Sequence, residues 1–181
     1  MAELTYELTL YPEPVLRKVA DPVEAFDERL KDVVAAMFRR MDASKGVGLA
    51  APQVGLRRRI LVLNATGAPE DDLALVNCRI LERSGPPTPF EEGCLSFPGI
   101  YAEIERPERC RVHAYDVEGN ELELEFDGFV SRIVQHEYDH LEGVLLVDRM
   151  SPADKLRNKA ALDELVTRYR DLQPAKARRL P

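Results

Sequence analysis

The chain of 181 residues and 20.5 kDa is long enough to bury a core without disulfides, and it calls for one domain over residues 1–181 rather than two. Its 45% apolar and 31% charged residues describe a globular protein, and no apolar run reaches bilayer length, which argues against a disordered or membrane-spanning chain. A net charge of -7 argues against broad nucleic-acid binding and against DNA as a partner. The charge is uneven. Residues 1–150 hold 17 Lys or Arg against 28 Asp or Glu, whereas residues 151–181 hold 8 against 4, so the basic end can either dock on RNA or an acidic partner or serve as solvated charge. Acidic residues near the N-terminus, where a signal peptide carries bases, and an odd set of three cysteines, Cys78, Cys94 and Cys110, lead us to expect a reducing, cytoplasmic setting.

Pro12 and Pro14 predict an extended N-terminal arm. Asp27 reads as an N-cap, and Leu30, Val33, Val34, Met37 and Met41 then recur at helical spacing, predicting a helix to about Met41 with an apolar stripe in the core. Residues 46–55 are rich in small residues and lack both the lysine of a phosphate-binding P-loop and the third glycine of a dinucleotide fingerprint. Its glycines let a backbone approach something closely, and Gln53 is the one side chain there with an amide to donate. Residues 59–64 and 73–80 predict strands, and residues 84–89, with three prolines, predict a loop. Residues 109–117 and 121–126 predict a hairpin turning at Gly119-Asn120, the second strand alternating acidic and apolar, with Cys110 and His113 structural. From Phe129 the period becomes helical, with Phe129, Val130, Ile133 and Val134 facing the core. Ser151 and Pro152 open a last helix packed through Leu156, Leu162, Leu165, Val166 and Tyr169.

The chemistry concentrates in Gln135-His136-Glu137-Tyr138-Asp139-His140. On a helix, His136 and His140 lie on one face and can hold a single ion, while Glu137 stands beside it as a general base. The plain alternative is a polar helix turn with two histidines on one face. A catalytic site of this type takes three protein ligands and one open position, and Cys94 is the candidate third, a buried free cysteine being its alternative.

Three stretches resemble the signature motifs of peptide deformylases, in the same order: Gly46-Val47-Gly48-Leu49-Ala50-Ala51-Pro52-Gln53, Glu92-Gly93-Cys94-Leu95-Ser96 and the histidine segment. The resemblance implies an α+β fold of mostly antiparallel sheets packed around a central metal-binding helix, with an N-terminal and a C-terminal helix. It implies removal of the formyl group from the N-terminal formyl-methionine of new polypeptides. It implies one divalent ion per chain on Cys94, His136 and His140, Fe(II) by expectation, with Zn(II) or Ni(II) as replacements. Glu137 would act as base and then acid, with Gln53 and the Leu95 N–H stabilising the oxyanion. Gly48 would hold the peptide backbone, and Val47, Glu92, Phe129 and Ile133 would line the methionine pocket. Ribosome docking through the basic C-terminal end is also implied.

Two rivals stay open. A zinc metallopeptidase shares the His-Glu-x-x-His segment but usually takes its third ligand from downstream. A non-catalytic binding module stabilised by structural metal normally needs four protein ligands.

Overall fold

The computed structural model describes residues 4–177. Helix α1 (Glu28–Ala43) starts where the Asp27 side chain accepts the Leu30 N–H at 3.0 Å, as expected of an N-cap. Strands β1 (Gly48–Ala50), β2 (Ile60–Leu63), β3 (Leu73–Cys94), β4 (Phe97–Tyr115) and β5 (Glu121–Asp127) form one antiparallel sheet in sequence order. Helix α2 (Gly128–Leu141) follows, then α3 (Leu146–Arg149), α4 (Pro152–Arg157) and α5 (Lys159–Ala177).

Every residue of β2 is buried, because each face of the sheet meets a different helix. Ile60 and Val62 face α1 and pack with Leu30, Val34, Met37 and Met41. Leu61 and Leu63 face α2 and pack with Ile133, Val134 and Leu141. A third cluster joins Leu16, the first half of β4 and the C-terminal helices around Phe97, Ile104, Leu146 and Leu165. The α+β architecture around a central histidine helix matches the expectation, with one continuous sheet in place of several.

Four local expectations need correction. Residues 84–89 are strand, not loop. They belong to the part of β3 that, among the described residues, pairs only with β4, through a register shift between Ser84 and Pro87. Proline is tolerated there because it need not donate to a second neighbouring strand. Strand β4 begins at Phe97, twelve residues before the expected strand start, because residues 97–106 pair with the distal half of β3. Phe129 is 47% exposed, since the first turn of α2 rises above the sheet. The last helix is two helices broken at Asn158, whose amide donates to the Tyr101 carbonyl at 2.9 Å, and Leu156 is 75% exposed rather than packed.

The N-terminal arm, expected to be extended, carries a 3-10 turn at Pro14–Arg17 and is pinned at Asn77, which adopts a left-handed backbone (φ 54) beside a register shift in β3. Its side chain accepts the Val23 N–H at 2.8 Å and donates to the Val23 carbonyl at 2.9 Å. Asn77→Ala removes both bonds, leaves two partly buried backbone groups without partners and puts a Cβ-bearing residue without a local hydrogen bond in a strained conformation. The expected result is a loss of roughly 1–3 kcal/mol in denaturant unfolding, with activity per folded molecule unchanged.

Candidate metal centre and active site

Two elements converge to make the site. Helix α2 presents His136 and His140 from successive turns with ring centroids 5.3 Å apart, and the tight β3–β4 turn at Leu95-Ser96 presents Cys94. The Cys94 Sγ lies 3.3 Å from His140 Nε2, and one ligand atom from each of the three residues falls within 4.8 Å of the others. The Nδ1 of His136 is engaged with Glu92 Oε2 at 3.0 Å, which leaves Nε2 for an ion. One thiolate and two imidazoles suit a borderline divalent cation. Beside them, Glu137 Oε2 is buried without a hydrogen-bond partner among the described residues, as is His140 Nδ1. A buried carboxylate oxygen left unpaired next to three converging donors fits a site built for an ion and a reacting group.

Burial pushes the Glu137 carboxyl up to about 7, against the lowering influence of His136 and Arg106. Glu92 behaves in the opposite way. Burial alone would raise it, but hydrogen bonds from His136 and Arg106 together with the Arg106 charge outweigh that and hold it well below the usual carboxylate range. It is therefore a fixed negative charge against His136.

Gln53 is 1% exposed on the 3-10 turn Ala51–Val54. Its Oε1 accepts the Ala50 N–H at 2.8 Å, which settles the amide's orientation, and its Nε2 lies 3.5 Å from Cys94 Sγ and 3.4 Å from Ser96 Oγ. Leu95 occupies the turn between Cys94 and Phe97, so its backbone N–H belongs to the same turn as the candidate ligand. Gly48 lies on β1, whose only strand partner among the described residues is β2. A Cβ on Gly48 would stand 2.6 Å from Glu137 Oε1 and 2.8 Å from Ile133 Cγ2. No other residue allows this strand to cross α2 so closely. Gly48→Ala is expected to displace Glu137 and cost about 1–3 kcal/mol of stability through overpacking, with a larger fractional loss of turnover than of folded protein in a paired activity and unfolding measurement.

A cavity of about 690 Å³ opens over these groups, its wall including Val47, Gly48, Phe90, Phe129, Ile133 and Glu137. Val47 and Phe129 are exposed at its mouth and Ile133 is buried in its wall. Glu92 lines it too, but both of its oxygens are committed, to Arg106, Arg132 and His136. Its carboxylate thus bonds His136 while its side chain borders the cavity. The basic Arg178 and Arg179 lie outside the described residues.

The arginines at this site were not singled out from the sequence. Arg106 bridges Glu92 and Asp139, the latter at 2.9 Å, with Asp139 also held by Arg149. A signal existed, since Arg106 falls in phase with the inward-facing Ile100, Ala102 and Ile104. Arg132 likewise sits inside an apolar helical run.

Comparison with known proteins shows what the chain and its fold resemble. The model of the polypeptide deformylase family matches residues 5–156. The chain is 46% identical over 151 residues to a peptide deformylase of Thermotoga neapolitana, covering 83% of this chain and 90% of that one. It is 43% identical over 173 residues to the chloroplastic/mitochondrial peptide deformylase 1B of Arabidopsis thaliana, covering 93% of this chain but only 63% of that relative's length. A crystal structure of the Plasmodium falciparum peptide deformylase superposes with a TM-score of 0.90 at 40% identity, over 92% of this chain and 99% of that one. With the family model spanning most of the sequence and the fold shared at this level, the chain belongs to the polypeptide deformylase family.

Proposed function

We propose that this protein is a metal-dependent hydrolase that removes the formyl group from the N-terminal formyl-methionine of newly made polypeptides. The observation that carries the reading is the convergence of Cys94, His136 and His140 within 4.8 Å beside the buried, unpartnered Glu137 oxygen. Cys94, His136 and His140 would hold a divalent ion, which would supply Lewis acidity and lower the pKa of water at the site. Glu137 accepts the proton of the attacking water at its carboxylate and returns it to the amine nitrogen as the formyl carbon departs. The Gln53 amide and the Leu95 N–H donate to the oxygen that gains charge on the formyl carbon. Gly48, on an edge strand, offers backbone hydrogen bonds to an extended peptide. Val47, Phe129 and Ile133 receive the methionine side chain, with Glu92 behind them holding His136.

The resident ion on this reading is Fe(II), although a thiolate with two imidazoles also accommodates Zn(II) and Ni(II). Free, buried Cys78 and Cys110 suit the cytoplasm. Among the described residues no helix is long and apolar enough to cross a membrane. The excess of basic residues after position 150 supports docking on the ribosome, where the substrate emerges.

The test is to load the anaerobically purified protein separately with Fe(II), Ni(II) and Zn(II) and follow formate release from a short formyl-methionyl peptide. Release should be fastest with Fe(II) or Ni(II) and abolished by a chelator. Absence of release with every metal in a folded, fully loaded protein overturns the reading.

A further inference from the structure

We propose that Arg132 is a positioning residue for the metal centre: its guanidinium clamps the Glu92 carboxylate to α2 and thereby fixes the His136 imidazole. The inference rests on the reading of Cys94, His136 and His140 as the metal ligands. Arg132 stands one turn before His136 on the same helix and is 8% exposed. Its Nη1 donates to Glu92 Oε1 at 2.8 Å and to the Ile104 carbonyl at 3.0 Å. Its Nη2 donates to the Thr88 carbonyl at 2.6 Å and to Thr88 Oγ1 at 3.2 Å. One side chain of α2 is thus tied to β4 and to the strand that ends at Cys94.

Glu92 shows why this bears on the histidine. Its Oε1 accepts from Arg106 Nε at 2.7 Å and from Arg132; its Oε2 accepts from Arg106 Nη2 at 2.9 Å and from His136 Nδ1. Arg106 fixes the plane of the carboxylate from β4. Arg132 and His136, four residues apart, grip its two oxygens from successive turns of one helix. Without Arg132 the carboxylate keeps its plane through Arg106 but loses its direct anchor on the first half of α2, leaving His136 and the Arg106–Asp139 link to set its place along the helix, so the imidazole is held less tightly. Thermodynamics does not account for the arrangement, because a buried ion pair of this kind is often no more stabilising than apolar residues of the same volume. The geometry it enforces is what an imidazole ligand needs, its second nitrogen held by an oriented carboxylate. The guanidinium also stands 5.2 Å from the Phe90 ring, which meets Phe129 at 5.8 Å across the cavity wall. The clamp therefore abuts the surface a substrate side chain would touch.

The experiment uses full-length protein loaded with Co(II), and reads the thiolate-to-cobalt absorption band and the rate of cobalt loss to excess chelator. Wild type, Arg132→Met, Glu92→Gln and the double variant are compared, with thermal unfolding confirming that each is folded. Arg132→Met is expected to lose cobalt about tenfold faster or more, and the double variant to lose it no faster than Glu92→Gln, because Arg132 acts through Glu92. Arg132→Lys, which keeps the charge without the fork, should fall between wild type and Arg132→Met, and it carries the comparison if the methionine variant does not fold. Cobalt loss at the wild-type rate in a folded variant, or effects of Arg132 and Glu92 that multiply independently, would overturn the proposal. A wild-type protein that shows no thiolate-to-cobalt band would overturn the ligand assignment itself, and the proposal with it.

Discussion

Glu137→Gln should retain one metal ion per chain, unfold at nearly the wild-type temperature and lose about 10²–10⁴-fold in kcat, the usual worth of a general acid–base. The substitution conserves volume, which matters because Glu137 is 4% exposed and lies close against Gly48. It removes the ability to accept a proton while leaving the three candidate ligands untouched. The unpartnered Oε2 is the feature that motivates this prediction: an unpaired buried carboxylate oxygen is costly, and it persists where a reacting group completes its bonding. Steady-state kinetics with metal analysis on the same preparation checks it, and a variant with near wild-type kcat removes Glu137 from the chemistry.

Gln53→Ala is expected to lower kcat by about 10²–10³-fold, or roughly 3–4 kcal/mol of barrier, with a smaller change in KM. An oxyanion donor acts on charge that exists only in the transition state, so its loss leaves ground-state binding largely intact. Gln53 also has a structural share, since its Oε1 satisfies the buried Ala50 N–H. Alanine leaves that donor unpaired, and roughly 1–3 kcal/mol of folding stability should go with it. Gln53→Glu keeps the acceptor for Ala50 and removes the amide donor. It therefore separates the two contributions: stability returns toward wild type while kcat stays low. Recovery of kcat in Gln53→Glu would show that the amide donates nothing to the reaction.

The candidate metal-binding face of α2 was legible because histidine, glutamate and histidine at helical spacing have few other uses together, whereas Cys94, which alone reads equally as a buried free cysteine, was reached through the resemblance of its motif. The Asp27 cap, the apolar stripe of α1 and the acidic-apolar alternation of β5 were legible for a related reason, each being a local pattern with a local cause. What escaped was set by partners distant in sequence. Prolines at 86, 87 and 89 read as a loop because nothing local reveals that this stretch pairs with a single strand. Arg106 and Arg132 looked like ordinary charges until the fold brought Glu92 between them from 14 and 40 residues away. Glu92 was read as a pocket residue and does line the cavity, but nothing local reveals its bonds to His136, Arg106 and Arg132.

The most direct test of the central claim is the identity of the product. A formyl-methionyl tripeptide is incubated with the Fe(II)-loaded protein without oxygen, and formate, free amino termini and intact peptide are quantified together. One formate and one new amino terminus per peptide, with every backbone peptide bond intact and no reaction after chelation, is the predicted result. Cleavage between residues with the formyl group still attached would contradict it and make the protein a peptidase.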